Sequence, residues 1–147
     1  MFVTASRLHA VRYKLAMDKY IKERGYDIKA LVAFSGIVKD NEEEFTGIST
    51  NKEVAADITE SNLPIIFNKD DFKFLIVAEK YQTGFDKPKL CAMYVDKKLD
   101  GVKTVQTLSR LNRTYSNKNT FILDFQNSTE NIQEAYKPYF EATILIK

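Results

Sequence analysis

Five short apolar runs recur along the chain, each bounded by polar or turn-forming residues. The first is FVTA near the start, and the others occupy residues 29–35, 72–78, 90–96 and 120–125. In these runs apolar residues follow one another instead of alternating with polar ones. Such runs predict β-strands that are buried on both faces of a sheet.

Helical patterns separate most of the predicted strands. Ser6 is suited to the N-cap and Gly25 to the C-terminal end of a first helix, whose apolar residues fall on two sides and predict broad burial. Residues 105–115 also have a helical pattern. The last helix is predicted to begin after Ser128, with Pro138 near its end.

The alternation of strands and helices predicts right-handed crossovers and a mostly parallel sheet. The predicted fold class is therefore α/β, as a three-layer α/β/α sandwich, and residues 1–147 fit a single domain. The polar segment 37–60, with its acidic stretch DNEEE, is interpreted as a solvated loop with one short helix at most. In this fold class, function collects beyond the carboxyl ends of the strands.

Composition and charge narrow the possible functions. The 22 basic and 20 acidic residues give a net charge of +2, too balanced for overall charge to indicate nucleic-acid binding. The single cysteine, Cys91, stands in the apolar run LCAMYV and is predicted to be a buried thiol. With one cysteine and one histidine, no disulfide framework and no metal site is predicted. No apolar run is long enough to span a membrane and no secretory signal is recognisable, so a cytoplasmic location is predicted.

The helical pattern VQTLSRLNRTY carries one amide and two guanidinium groups on one predicted face. Gln106, Arg110 and Arg113 stand at positions i, i+4 and i+7, opposite an apolar face of Leu108, Leu111 and Tyr115. No acidic residue stands three or four positions from either arginine. Taken alone, the pattern favours an ordinary solvated helix, but three donors on one face also suit an anion with several oxygens.

Two further segments follow predicted strands. TASR, residues 4–7, opens the first helix, so Ser6 and the free helix amides could hold a phosphate, although a plain N-cap explains the local pattern better. In KYQTGFD, Gly84 permits a tight bend flanked by Thr83 and Asp86, and a simple turn explains that pattern better. The coincidence of these segments with the arginine pair at one predicted sheet edge is harder to explain by independent local causes.

The sequence contains no GxxxxGK[ST] phosphate loop and no acidic pair after a strand that would hold Mg²⁺. It therefore offers arginines suited to a transferred phosphate without a nucleotide cradle. An arginine finger supplied across an interface has this character.

The order of the segments resembles the second RecA-like domain of a superfamily 2 helicase or translocase. FVTASRLHAVRY resembles motif IV, LIVAEKYQTGFD resembles motif V, and QTLSRLNR resembles motif VI, with a serine where many relatives have glycine. The sequence from TGFDKPKLCAMYVDKKLDGVKTVQTLSRLNRTY to TFILDF is most similar to the motor (R) subunit of type I restriction enzymes. The resemblance covers nearly the whole chain and implies a RecA-like, P-loop NTPase-like fold.

The resemblance also implies roles for residues at a nucleotide site. Arg110 and Arg113 would reach the γ-phosphate of ATP as catalytic residues, with Gln106 beside them. Gly84 and Asp86 would contribute to cofactor binding at the link between this site and the DNA.

Three further residues are implied to contact DNA, and they are Ser6, Arg7 and Thr83. By the same resemblance the chain is a piece of a longer polypeptide, a site-specific deoxyribonuclease with ATP-dependent translocase activity. The first RecA-like domain would hold the phosphate loop and Mg²⁺, a nuclease domain would cut, and methyltransferase and specificity subunits would be partners on double-stranded DNA. ATP and Mg²⁺ would act in the full-length enzyme, and this chain alone would bind neither and would be inactive.

Two alternatives remain open at the level of sequence. The chain could be the same domain of another superfamily 2 helicase that acts on DNA or RNA, although the wording of motifs V and VI favours the restriction subunit. It could also be a non-catalytic RecA-like adaptor, against which the intact Arg110 and Arg113 count.

Overall fold

A computed structural model of the protein describes residues 1–80 and 87–144, with side chains up to residue 139. The chain divides into two units, Met1–Tyr81 and Gln82–Lys147, and each has parallel strands connected by helices. The α/β class and the parallel strands predicted from the sequence are confirmed in both units. The RecA-like assignment and the three-layer arrangement stay predictions.

Over residues 1–80, the first unit contains five strands and two α-helices. In chain order these are β1 (Phe2–Thr4), α1 (Arg7–Arg24), β2 (Lys29–Ala33), β3 (Ile37–Asp40), β4 (Glu43–Thr46), the 3-10 helix Ser49–Asn51, α2 (Leu63–Ile66) and β5 (Phe72–Val77). β5 pairs in parallel with β1 on one side and β2 on the other. Antiparallel β3 and β4 form a separate hairpin.

The limits of α1 agree with the sequence prediction. Ser6 has an extended backbone and its side chain accepts a hydrogen bond from the His9 amide at 3.2 Å, as an N-cap does. Gly25 ends the helix in the left-handed conformation, with φ of 65°, which glycine adopts without steric cost.

Broad burial of α1, however, was a wrong prediction. The helix buries one face, where Ala10 and Val11 join a core cluster with Val32 and Ile76, whereas Leu15 is 44% exposed. The buried face also includes Lys14, which is fully buried and pairs with Asp18 one turn further on. Burial lowers the pKa of Lys14 and raises that of Asp18, because both charged forms lose water.

The interpretation of residues 37–60 as a solvated loop was also wrong, because β3 and β4 form a hairpin there. Val38 and Phe45 are partly buried and pack against the core cluster that includes Ala10 and Val11 of α1. Asp40 accepts two hydrogen bonds from Arg12, at 2.8 and 3.0 Å. Asn41 turns the hairpin with φ of 56°. Both strands have four residues, two exposed and two half-buried, and only β3 alternates between them. The strands are therefore short and polar, and the sequence lacks the apolar run that marks a buried strand.

Asn51 holds the outer edge of β2. Its side chain is fully buried, accepts from the Val32 amide at 2.9 Å and donates to the Val32 carbonyl at 2.7 Å and the Gly47 carbonyl at 2.7 Å. One side chain thereby pairs strand groups that would otherwise face away from the sheet without a partner.

Among its described residues, the second unit contains two strands and two α-helices. In chain order these are β6 (Ala92–Asp96), α3 (Gly101–Leu108), the 3-10 helix Ser109–Asn112, β7 (Phe121–Asp124) and α4 (Thr129–Ile144). β6 and β7 are parallel, and α3 contacts α4. The Asn131 amide donates to the Ser128 hydroxyl at 3.2 Å, which confirms the predicted N-cap.

Two details of this unit differ from the sequence predictions. α4 runs to Ile144, so Pro138 lies inside it rather than near its end; a proline removes one backbone hydrogen bond, which bends a helix without necessarily ending it. Cys91 is exposed, not buried, because it precedes β6, in which fully buried Met93 and Val95 alternate with half-buried residues.

Candidate functional site

The carboxyl ends of β1, β2 and β5 lie at one edge of the first unit's sheet, because the three strands are parallel. The buried Thr4 hydroxyl, at the end of β1, donates to the Val77 carbonyl, at the end of β5, at 3.0 Å. This bond fixes the point at which the chain leaves β1 and enters α1. Ser6 and Arg7 follow it directly, so both lie at the edge predicted for them.

Ser6 is half-buried and its hydroxyl oxygen is engaged in the N-cap. The same oxygen lies 3.2 Å from Nδ1 of His9. The local alternative, an ordinary N-cap, therefore describes the contacts that Ser6 makes, and its predicted contact with DNA stays a prediction.

Arg7 is exposed and reaches across to the end of β2. Its Nη1 donates to the Ser35 carbonyl at 3.1 Å. This contact places the guanidinium beside Gly36, whose φ is 78°. A basic group is thus held at the junction of two strand ends and the first turn of a helix, where backbone amides also favour anions.

The end of β5 has an unusual backbone. Glu79 has φ of 60°, and the Lys80 amide donates to the Ala78 carbonyl at 2.7 Å, which makes a tight three-residue turn. The Lys80 ammonium pairs with Glu60 at 3.2 Å. The predicted site residues Thr83, Gly84 and Asp86 lie outside the described residues.

In the second unit, the predicted stripe of donors is not on one continuous helix. Gln106 lies on α3, Arg110 lies in the 3-10 helix that follows, and Arg113 has an extended backbone with ψ of 130°. The α-helix predicted for residues 105–115 therefore ends at Leu108, and the spacing i, i+4, i+7 does not apply to Arg113. Leu108 and Leu111 are buried as predicted, but Tyr115 is 49% exposed because it lies beyond the end of the helix.

Lys118, which the sequence reasoning missed, explains part of this ending. Its ammonium donates to the Leu111 carbonyl at 2.7 Å and to the Arg113 carbonyl at 3.1 Å. In a continuing α-helix the Leu111 carbonyl would accept from the amide four residues later, and here a lysine takes that place. A lysine soon after a helix end was the available signal. The same contacts bring a third cation to the segment that carries Arg110 and Arg113.

Asn127 organises the loop that precedes α3. Its side chain accepts from the Leu99 amide at 2.8 Å and donates to the Lys97 carbonyl at 2.9 Å and to the Asp124 carboxylate at 3.0 Å. A cavity of about 450 Å³ opens beside this loop and the first turns of α4, and none of the predicted site residues lines it. Nothing in the sequence pattern had singled out Asn127.

Within residues 1–80 and 87–144, no three side chains of His, Cys, Asp or Glu are grouped so that they could hold a metal ion. None of the helices in that part of the chain is both long and apolar enough to cross a membrane.

Parallel strands connected by helices define an α/β protein, and basic side chains beyond strand and helix ends are candidate functional residues in both units. The family model for type I restriction enzyme subunit R domain 3 matches residues 37–127. The chain therefore belongs to this family.

Curated relatives bear related names. A putative type I restriction enzyme MjaVIIP endonuclease subunit of Methanocaldococcus jannaschii is 37% identical over 127 residues, covering 80% of this chain and 12% of the relative. The putative MjaIXP endonuclease subunit of the same organism is 30% identical over 141 residues, covering 95% of this chain and 13% of the relative. The HindI endonuclease subunit of Haemophilus influenzae is 32% identical over 78 residues, covering 50% of this chain and 7% of the relative.

These matches support the sequence-based assignment to the R subunit of a type I restriction system. The chain spans only a small part of each relative's length, 12% and 13% in the two longest matches. The names of these relatives therefore describe proteins several times longer than this chain.

Proposed function

We propose that this chain is the second RecA-like motor domain of a type I restriction enzyme R subunit. In that role it contacts the DNA backbone through the first unit and supplies arginines to an ATP site through the second. The observation that carries the proposal is Arg7, held at the carboxyl edge of a parallel sheet in a chain of this family.

The contact with DNA is expected to involve phosphates and not base edges. The bond to Ser35 uses one of the five N–H donors of the Arg7 guanidinium, and the planar fork is well suited to phosphate oxygens. The first-turn amides of α1 add a favourable dipole at the same edge. A motor that moves along any sequence needs contacts that carry no sequence information, which backbone contacts provide.

The second unit is expected to contribute charge to a nucleotide site that another domain completes. Arg110 and Arg113 are guanidinium groups in one short segment, and the Lys118 ammonium is bound to that segment. This donor set fits a polyphosphate, and Gln106 would add an amide beside it. Hydrolysis of ATP, bound with Mg²⁺, would drive movement along DNA. These side chains would bind and orient the terminal phosphate of ATP.

Binding of the chain to two DNA duplexes of unrelated sequence tests the first part. With a net charge of +2 we expect a Kd on the order of 10⁻⁴ M, equal for both duplexes and weaker as salt rises. Arg7→Ala should weaken both complexes equally. Arg24→Ala is the matched control, because it removes the same charge at the other end of α1, where Arg24 lies over the Tyr20 ring. A preference for one duplex, or affinity that ignores salt, would contradict the proposal.

The second part requires the parent R subunit. Arg113→Ala should lower ATP turnover by about 10³ to 10⁵, the usual contribution of an arginine finger, and Arg113→Lys should restore little because the planar fork is lost. Calorimetry with the chain alone should show no tight binding of ATP and Mg²⁺. Wild-type turnover by Arg113→Ala would instead favour a non-catalytic adaptor role.

A further inference from the structure

Two glycines of the first unit have similar left-handed backbones but different surroundings. Gly25 has φ of 65° and Gly36 has φ of 78°. A Cβ atom added at Gly25 would meet nothing within 4 Å, whereas one added at Gly36 would lie 2.8 Å from Nη1 of Arg7. The Arg7 guanidinium therefore packs directly against the backbone of residue 36.

The position of this guanidinium is set from two sides by residues at the end of β2. The Ser35 carbonyl accepts a hydrogen bond from Nη1 at 3.1 Å, and the absence of a side chain at Gly36 allows the same nitrogen to approach the backbone closely. Any other residue at position 36 would place a carbon atom closer to Nη1 than side-chain contacts allow. The flexible arginine would then shift out of the position from which it donates to Ser35.

We propose that Gly36 is a positioning residue that holds the Arg7 guanidinium ready for a DNA phosphate. This inference rests on the proposed function, since it concerns the same contact between Arg7 and the DNA backbone. A planar guanidinium binds phosphate strongly only in a suitable orientation, and fixing that orientation before binding reduces the entropy that the complex must lose. Gly36 acts through Arg7 and does not itself contact DNA in this proposal.

A purely conformational need for glycine would give a different result. Alanine at either glycine strains a left-handed backbone, but only at position 36 does it also displace Arg7. Gly25→Ala is therefore a matched control for backbone strain. Gly36→Asn provides a second variant, because asparagine tolerates the left-handed backbone while still adding a Cβ atom.

The experiment is an NMR titration of the chain with a DNA duplex at several salt concentrations. The spectra of the free variants report folding, and the titrations report affinity. We expect Arg7→Ala to weaken binding about tenfold and to reduce the salt dependence by about one phosphate contact. Gly36→Ala and Gly36→Asn should weaken binding in the same direction but by less, because the charge of Arg7 remains. Gly25→Ala should bind as the unaltered chain does. Arg7→Ala combined with Gly36→Ala should bind no more weakly than Arg7→Ala alone.

Three results would overturn the inference. If both Gly36 variants bind normally while Arg7→Ala is weakened, Gly36 does not position Arg7, and the proposed DNA contact stands. If Gly36→Ala weakens binding further in the Arg7→Ala background, glycine acts through the fold. If Arg7→Ala binds normally, the proposed contact between Arg7 and DNA fails, and the role of Gly36 fails with it.

Discussion

The strands β5 and β7 differ sharply in burial although both are short apolar runs. Residues 75–77 of β5 are fully buried, whereas residues 121–123 of β7 are 40% to 51% exposed. β5 lies between β1 and β2, and it packs against α1 in the core cluster of the first unit. Among the described residues, β7 pairs only with β6.

This difference shows that an apolar run predicts a strand but does not predict what covers it. Burial of β5 depends on two neighbouring strands and a helix, which come from distant parts of the sequence. The run in β7 has the same local preference for extended backbone, because β-branched and aromatic residues favour strands wherever they lie. Its side chains contribute less to stability in this unit because about half of their surface remains in contact with water.

The largest effect that would test this comparison is expected from truncating one leucine in each strand. Leu75→Ala removes fully buried carbon atoms and should lower the free energy of unfolding of the first unit by about 3 to 5 kcal/mol. Leu123→Ala, at a residue 40% exposed, should cost the second unit less than about 1 kcal/mol. Urea denaturation followed by NMR signals from each unit would measure both. Equal losses would mean that β7 is as well covered as β5.

Replacement of Asn51 in the first unit and of Asn127 in the second should show the same contrast, with smaller losses of stability. Asn51→Ala leaves the buried Val32 amide and carbonyl without their partner, which should cost about 2 to 3 kcal/mol. Asn127 makes a similar set of bonds but is only half-buried, so water can replace it and Asn127→Ala should cost about 1 kcal/mol. The same denaturation experiment measures both variants. A larger loss for Asn127→Ala would reverse the ranking of the two units.

Local sequence signals predicted the elements that depend on local physics. The five apolar runs became strands, Ser6 and Gly25 bound the first helix, and Ser128 caps the last one. Each of these depends on neighbours within a few residues, such as the bond from the His9 amide to Ser6. The parallel arrangement followed from the alternation of strands and helices.

Features that depend on distant residues were not predictable in this way. The hairpin at residues 37–46 is stable on the surface because Val38 and Phe45 pack on a core formed elsewhere. Lys14 is fully buried although its residue type predicts exposure, and its local pairing with Asp18 does not by itself predict that burial.

The candidate site was predictable to a similar extent. Ser6 and Arg7 lie at the expected strand ends, but the contact of Arg7 with residues 35 and 36 crosses between strands and has no local signal. Arg110 and Arg113 were recognised by type and spacing. Their backbone was predicted wrongly, because it depends partly on Lys118, which follows the segment and binds its carbonyls.

Acidification should weaken the attachment of the β3–β4 hairpin to the first unit. Arg12 donates hydrogen bonds to Asp40 and holds the pKa of that carboxyl below its usual value of 3.8. Because the pKa is lower in the folded state, this contribution is fully present above about pH 3.8 and is lost as the pH falls through the folded value. We expect amide-exchange protection in β3 and β4 to fall in that range.

Asp40→Asn is the matched variant for this measurement. It removes the charge without changing the shape of the side chain, so protection of the hairpin should already be reduced at neutral pH and should vary less on acidification. Protection that is the same in both proteins across the whole range would show that packing of Val38 and Phe45, and not the ion pair, holds the hairpin.

The smallest effect on stability is expected at the end of β7. Phe125 is 60% exposed, and its described bond to β6 is made by the backbone, from its amide to the Val95 carbonyl at 2.9 Å. Phe125→Ser should therefore change the free energy of unfolding by no more than about 0.5 kcal/mol. Phe34→Ser is the control, because Phe34 is 1% exposed and its replacement should unfold much of the first unit. Sedimentation of Phe125→Ser should also show less self-association at high concentration, since an exposed aromatic ring near a strand edge favours contact between copies. A loss of stability above about 2 kcal/mol would contradict the view that β7 is weakly covered.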